Sequence, residues 1–295
     1  MVGAPGDSQQ LFGERLPPRL ADLTAPPGRL YVRGELPRGP AVAIVGTRHP
    51  SPEAVAFTRA FAAELAAAGV AVLSGGAEGI DTAAHEGALD VGGVTVVVAP
   101  GGFRKPFPEQ NAALFQRIVE RGGAYLSLCA DDAPASRSSF FPRNACLVAL
   151  AHVVVVTQLP YRSGAANAAK WARRLGRPLL IVPHSPWVAQ GKGALRELRL
   201  GGQPVDRPQE VLKLLSDSGL HPLATAAVQG ELWPEDRSND EDPVLRALLQ
   251  GASHVDEIAD QTGLALATVQ QRILTLALSG VLVPGPLGSL KLVTY

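Results

Sequence analysis

The sequence predicts an α/β protein: a doubly wound parallel sheet followed by a small C-terminal winged-helix domain. Three observations carry this prediction. Short apolar runs alternate with amphipathic segments from residue 41 to residue 215, which is the pattern of a parallel sheet covered on both faces. Two of the runs, Val94–Ala99 and Val153–Val156, are rich in β-branched residues and carry no charge, as strands buried on both sides require. Residues 243–295 change pattern, to three helical stretches and a hairpin.

Residues 1–40, including LPPRLADLTAPPGRLYVRGELPRGP, are proline-rich without sustained periodicity and read as an extended lead-in lying on the domain that follows. The alternation then predicts a strand at 41–45, a helix at 52–68, a strand at 70–73, a helix at 81–89 and a strand at 94–99. It continues with a helix at 109–121, a strand at 124–127, a helix at 143–150, a strand at 153–157, a helix at 164–175 and a strand at 178–182. A helix at 208–215 closes a domain spanning 41–215. Ser216–Asp242 ends in the charged cluster EDRSNDED and reads as a linker.

In the 243–295 domain, Pro243–Leu249 reads as a short helix. Ser253-His-Val-Asp256 starts a second helix as a capping box, and Gly263 ends it. A third runs from Ala265 to Ser279 with Val269, Ile273 and Leu276 on one face. Val281–Val283 and Leu290–Val293, joined by PGPLGS, complete the wing.

Hydrophobic residues make up 46% of the 295 and charged residues 18%, so a folded chain is expected rather than a disordered one. No apolar run approaches the roughly 18 residues of a membrane span, and Met1–Gln10 lacks the basic start and apolar core of an export signal. A cytoplasmic protein without membrane contact is therefore expected, with Cys129 and Cys146 as reduced packing thiols. Trp171 and Trp187 are also expected to pack. The formal net charge is zero but unevenly placed: residues 1–98 carry −3, 99–177 carry +7, 178–227 carry +1 and 228–295 carry −5. A basic centre beside an acidic tail points to an anionic partner for the first domain.

Two turns hold the clearest chemistry. Ala41–Val45 and Val70–Leu73 both run into small or glycine-rich turns at the same edge of the predicted sheet. Helix N-termini and the missing side chains of Gly46, Gly75, Gly76 and Gly79 leave room there for a phosphate against backbone. Arg48 adds a fixed positive charge. A dinucleotide site does not fit, because V-G-T-R stands in place of G-x-G-x-x-G and Ser74 stands where an acidic residue would meet the ribose. G-x-x-x-x-G-K-[ST] is absent as well, so neither a nicotinamide cofactor nor P-loop hydrolysis is expected.

Val42–Arg48, Ser74–Leu89, Gly93–Thr95, Phe107–Asn111, Phe140–Asn144 and Ser163–Gly164 together resemble the bacterial DNA-processing family DprA/Smf. The family pattern runs V-A-I-V-G-[ST]-R, S-G-x-A-x-G-I-D-x-x-A-H-x-x-A-L, G-x-T, [YF]-P-x-x-N, F-x-x-R-N and S-G-[ST], and the resemblance extends from about residue 15 to 295. It implies an extended Rossmann-like domain that binds single-stranded DNA, pairs into a homodimer and loads the RecA recombinase during natural transformation or recombinational repair. It implies no catalysis. The chain departs from the pattern at Glu78, which replaces an Arg, at Ala145 in the third place of R-N-R, and at Leu128 in place of an acidic residue. It departs again in Ser163-Gly-Ala-Ala-Asn-Ala, where the family has S-G-S-x-x-T-A.

On this resemblance the nucleic-acid contacts are Gly46, Thr47, Arg48, Ser74, Gly75, Lys105, Phe140, Arg143, Asn144, Arg162, Ser163 and Gly164. Thr47 and the amides after Gly46 would hold one phosphate, and Arg48 and Arg143 would neutralise others. Arg162 precedes the Ser-Gly turn, where the family often has a basic residue. Phe140 would stack a base, which serves any sequence because every base has a π-face. Lys105 adds a loop charge.

Asp81 and His85 share a helix face at i, i+4, but no third ligand is placed, so a helix-capping Asp, an internally bonded His and no bound metal are expected. Ala99-Pro-Gly-Gly-Phe103 resembles the start of P-G-G-x-G-T-x-x-E in the lonely guy phosphoribohydrolases, which hydrolyse nucleoside monophosphates. Arg104, Lys105 and Pro106 follow instead of Gly-Thr, so the likeness stops after Phe103. The winged helix offers Gln270, Gln271 and Arg272 on its third helix within an acidic segment. It reads as a protein-contact or regulatory module rather than a duplex reader.

Overall fold

The uncharged β-branched runs become the middle of a sheet. The computed structural model describes residues 8–161, 163–185, 187–221, 243–278, 282–284 and 289–292, in two units that divide at residue 228. The first unit opens with β1 (Gln9–Leu11), β2 (Leu30–Gly34) and β3 (Ala41–Val45). Alternation follows through α1 (Pro52–Ala67), β4 (Ala71–Ser74), α2 (Ile80–Asp90), β5 (Thr95–Ala99), α3 (Ala112–Glu120) and β6 (Ala124–Ser127). The chain continues through α4 (Arg137–Leu150), β7 (Val153–Val156), α5 (Gly164–Arg174), β8 (Leu179–Ile181), α6 (Lys192–Arg199), β9 (Gln203–Pro204) and α7 (Pro208–Asp217).

The sheet order is β1-β2-β6-β5-β4-β3-β7-β8-β9, with β1 and β2 antiparallel and every pair from β6 to β9 parallel. Strand direction around β3 decides where a ligand can sit. After β3 the chain winds outward through β4, β5 and β6, then returns over the sheet to lay β7 on the other side of β3. The loops after β3 and β7 therefore diverge, opening a crevice at their C-terminal ends.

Alternate residues of each strand face opposite sides. Ala43, Leu73, Val96 and Val154 pack beneath α4 and α5. Val42, Ile44, Val72 and Val155 pack against α1, α2 and α7, while Val97 and Ala99 meet α3.

Residues 8–40, read from sequence as a lead-in, contribute β1 and β2 and bury Leu20, Leu30 and Val32 in the larger core. Their prolines masked a five-residue strand. A second difference concerns α4, expected from residue 143 but starting at Arg137 and running through Pro142. Pro removes one helical hydrogen bond, yet the first turn is held by Ser136 and Ser139, with the Ser136 N–H donating to the Ser139 hydroxyl at 3.1 Å. The segment 192–204 supplies α6 and β9, which the apolar pattern did not reveal. Trp171 does pack against the core, whereas Trp187 is 84% exposed, contrary to expectation.

The second unit contains α8 (Pro243–Leu249), α9 (Val255–Thr262), α10 (Leu266–Leu278) and the pair β10 (Leu282–Pro284) and β11 (Leu290–Leu292). Val269, Leu276 and Ile258 meet in its core. Gly263 ends α9 at φ 67°, the left-handed cap expected of it. The α9 start differs by one residue: Glu257, rather than Asp256, accepts the Ser253 and His254 amides at 2.8 and 3.3 Å.

Candidate nucleic-acid interface

The crevice between β3 and β7 holds a pocket of about 540 Å3. One wall is Val45–His49, another is Phe140, Phe141, Arg143 and Asn144 of α4, and the third is Ser163–Ala165 at the start of α5.

The Gly46–His49 turn is built by close approach. A Cβ on Gly46 would come within 2.5 Å of the Ile80 side chain. At Gly79, with φ +82°, one would meet the Thr47 carbonyl oxygen at 2.5 Å, so a side chain there would be excluded by both backbone and space. The Ile80 amide donates to that carbonyl at 3.2 Å. The expectation that the amides after Gly46 await a phosphate needs correction. The Thr47 N–H already donates to Gln158 O at 2.8 Å, and the His49 N–H donates to Thr47 Oγ1 at 3.2 Å. Both bonds hold the turn and leave the Arg48 amide and side chain without an acceptor among the described residues.

Arg143 is the centre of the site. It is buried beside Asp81, and its Nε has no hydrogen-bond partner among the described residues. Burial pulls the guanidinium below its ordinary value, Asp81 opposes that shift and Arg48 adds to it. Burial pushes the Asp81 carboxyl up, against the pull of Arg143 and of the Ala77 N–H that donates to it at 3.3 Å. A buried cation whose donors are not all used is costly unless an anion completes it.

Phe140 is half-buried, with the Arg48 and Arg143 guanidinium carbons 5.7 and 5.8 Å from its ring centroid and Phe107 edge-on at 5.6 Å. The ring thus positions two cations. Phe141, which the sequence reading passed over, lines the same pocket and is 63% exposed. Its signal was present: with α4 extended back to Arg137, Phe140 and Phe141 lie one turn before Arg143 and Asn144.

The Asn144 amide donates to Asn167 Oδ1 at 3.2 Å and to Gly164 O at 3.4 Å, tying α4 to the first turn of α5. Ser163 is the N-cap of α5 but makes no capping bond, and its buried Oγ has no partner among the described residues. The helix therefore presents unsatisfied donors and its positive end to the pocket.

Three expected contacts lie apart from this pocket. Ser74 is buried and donates to Ile44 O at 2.6 Å, joining two strands. Gly75 serves by lacking a side chain, since a Cβ there would overlap the Arg143 guanidinium. Lys105 is exposed on the loop that carries Phe107 and does not line the pocket. Arg162 falls outside the described residues.

His85 is internally bonded. Thr95 Oγ1 donates to Val72 O at 2.7 Å, so His85 Nδ1 must donate to Thr95 Oγ1, also at 2.7 Å. Burial lowers its pKa to about 3. Among the described residues no group of three or more His, Cys, Asp or Glu is placed to hold a metal. The Pro-Gly-Gly turn closes instead on residues 130–135, with the Gly102 N–H donating to Ala133 O at 2.9 Å, and it does not line the pocket.

Comparison with known proteins agrees with this architecture. The DNA recombination-mediator protein A family matches residues 10–216, and the DprA winged helix domain matches residues 230–286. A putative DNA processing protein DprA of Mycobacterium tuberculosis is 38% identical over 245 residues, 81% of this chain. The match spans 61% of that relative's length. Protein Smf of Escherichia coli is 31% identical over 284 residues, covering 95% of this chain and 75% of its own. Among solved structures, DNA processing protein A of Streptococcus pneumoniae superposes with a TM-score of 0.65 at 27% identity, covering 70% of this chain and 74% of its own. DNA processing protein A of Helicobacter pylori, described for its single-stranded DNA binding mode, gives 0.64 at 30% identity and covers 72% and 97%. With its Rossmann-like sheet and winged helix both matched, the chain belongs to the DNA recombination-mediator protein A family, DprA/Smf.

Proposed function

We propose that this protein binds single-stranded DNA, with the sugar-phosphate backbone seated in the crevice between β3 and β7. The observation that carries the reading is the buried Arg143 guanidinium, not fully hydrogen-bonded, facing a pocket shared with Arg48 and the uncapped start of α5. Phosphate fits those donors. The exposed Phe141 ring can stack a base of any sequence. The Helicobacter pylori relative, described for binding single-stranded DNA, supports the same assignment.

The pocket's polar side chains are donors apart from one carboxylate, Asp81, which is buried beside Arg143. That arrangement favours binding over acid-base catalysis, so the function we assign is non-catalytic. Within the cell the protein would act in the cytoplasm as a homodimer, protecting incoming or exposed single strands and loading RecA in natural transformation or recombinational repair. The winged helix would serve partner contact or regulation.

The test is binding of a labelled single strand against a duplex of equal length at two salt concentrations. A single-strand preference that weakens with salt is expected, with a log–log slope of about −0.7 per phosphate neutralised. Equal binding to both forms, or salt-insensitive binding, would overturn the assignment.

A further inference from the structure

A second cavity, of about 550 Å3, lies beneath the 8–40 segment. It borders Ala41, the first residue of β3, whereas the crevice pocket borders Val45, the last. The two therefore open at opposite ends of the same strand. Leu73 and Val96, from the centre of the sheet, form its floor, and Leu150 a wall. The recess is open to solvent on the side of Arg15 and Arg38, and its size falls in the range of small-molecule sites.

Its polar groups carry one dominant sign. Among the described residues, Arg15, Arg19 and Arg38 line it, against the single carboxylate of Glu14. Among the described residues the Arg19 Nε is enclosed without a hydrogen-bond partner, and its NH2 group reaches only Ala151 O, at 3.4 Å. Arg177 stands close enough to lower the pKa of Arg19, secondary to burial and partly offset by Asp22. His152 also lines the cavity, and its Nδ1 accepts the Ala41 N–H at 3.0 Å. That bond leaves Nε2 to carry the proton of the neutral ring. Burial first, and then Arg19 and Arg177, lower this imidazole to about 4.

An apolar floor beneath arginine donors that are not all used matches a molecule with an apolar body and an anionic head. We propose that this cavity binds a small amphipathic carboxylate, its chain against Leu73, Val96 and Leu150 and its head against Arg19 and Arg38. The proposal does not depend on the nucleic-acid reading, since no residue is shared between the two pockets.

Octanoate is the probe, octanol its uncharged control, and the His152 ring resonance of the full chain the reporter, assigned through a His152→Gln variant. Octanoate is expected to shift the His152 signal saturably and to raise its pKa, because a bound carboxylate offsets the two arginines. Octanol should bind without raising it. Arg19→Gln should weaken octanoate by about tenfold, the loss of one charge-assisted hydrogen bond, and leave octanol unchanged. Should Arg19→Gln fail to fold, Arg38→Gln supplies the same comparison. An unmoved His152 signal, equal affinities for octanoate and octanol, or octanoate binding indifferent to the arginine substitution would each overturn the proposal.

Discussion

The Arg143 guanidinium fills the space that a side chain on Gly75 would occupy: a Cβ there would stand 1.6 Å from an Arg143 nitrogen and 2.8 Å from Asp81 Oδ2. A glycine at the end of β4 thus decides where a cation on α4 can lie. Gly75→Ala must expel the guanidinium or push α4 outward. Such overpacking is expected to cost about 1–3 kcal/mol and to weaken single-strand binding in the same variant. Thermal melts and fluorescence anisotropy check both, and a variant unchanged in either would contradict the contact.

Arg48 behaves differently because it is exposed. Arg48→Ala should leave the melting temperature nearly unchanged. Its affinity for single strands should fall, with the salt dependence shallower by about 0.7 in log–log slope. A slope equal to that of the parent protein would show that Arg48 meets no phosphate.

The two neighbouring phenylalanines should separate. Phe141→Ala is expected to remove about 1–3 kcal/mol of single-strand binding with the salt slope preserved, since stacking carries no charge. Phe140→Ala should instead lower stability, because the ring packs against Phe107 and lies beneath both guanidiniums. Anisotropy titrations beside melting curves distinguish the two, and the reverse outcome would return the stacking role to Phe140.

Stability should fall below neutral pH through His85. Its folded pKa is lowered to about 3, so the unfolded chain takes up the proton first as pH drops through the ordinary histidine range. The loss runs from about pH 6.5 downward and reaches at most roughly 4 kcal/mol near the folded value. Asp81, with its pKa raised by burial, acts in the opposite direction: its contribution is present in acid and is lost as pH rises through the raised value. Urea unfolding of His85→Asn beside the parent at about pH 7 and pH 5 isolates the histidine. The variant should lose less stability between the two, and an equal loss would exclude His85.

A chain ending at Leu220 should fold and keep most of its single-strand affinity. The described pocket lies wholly in the first unit, and residues 228–295 carry a net −5 that would repel phosphate. Circular dichroism with anisotropy checks this. A folded but non-binding fragment would make the winged helix a direct nucleic-acid contact.

The core of the fold was legible because its signals are local. Runs such as Val153–Val156 need no partner to be recognised as buried strands, and Gly263 marks a helix end by its own conformational freedom. The family motifs drew attention to Gly46, Thr47, Arg48, Arg143, Asn144, Ser163 and Gly164, which the fold gathers around one crevice. The strand in Leu30–Gly34 was hidden because its pairing with β6 spans some ninety residues, beyond any window of periodicity. Pro142 concealed the first turn of α4 for a similar reason, since Ser136 and Ser139 hold a turn that proline alone argues against.

By itself the sequence determined the alternating architecture and the winged helix, and it singled out the residues proposed to meet an anion, since each rests on residue type and short spacing. Only the tertiary structure decided their roles. Ser74 became a strand tie, Gly75 the space for Arg143, Phe140 a support for two cations and Phe141 the exposed ring. The physical reason is that exposure, free hydrogen-bond donors and close approach depend on which distant segments share a space. The return of the chain from β6 to β7 brought α4 and the start of α5 against the turn after β3.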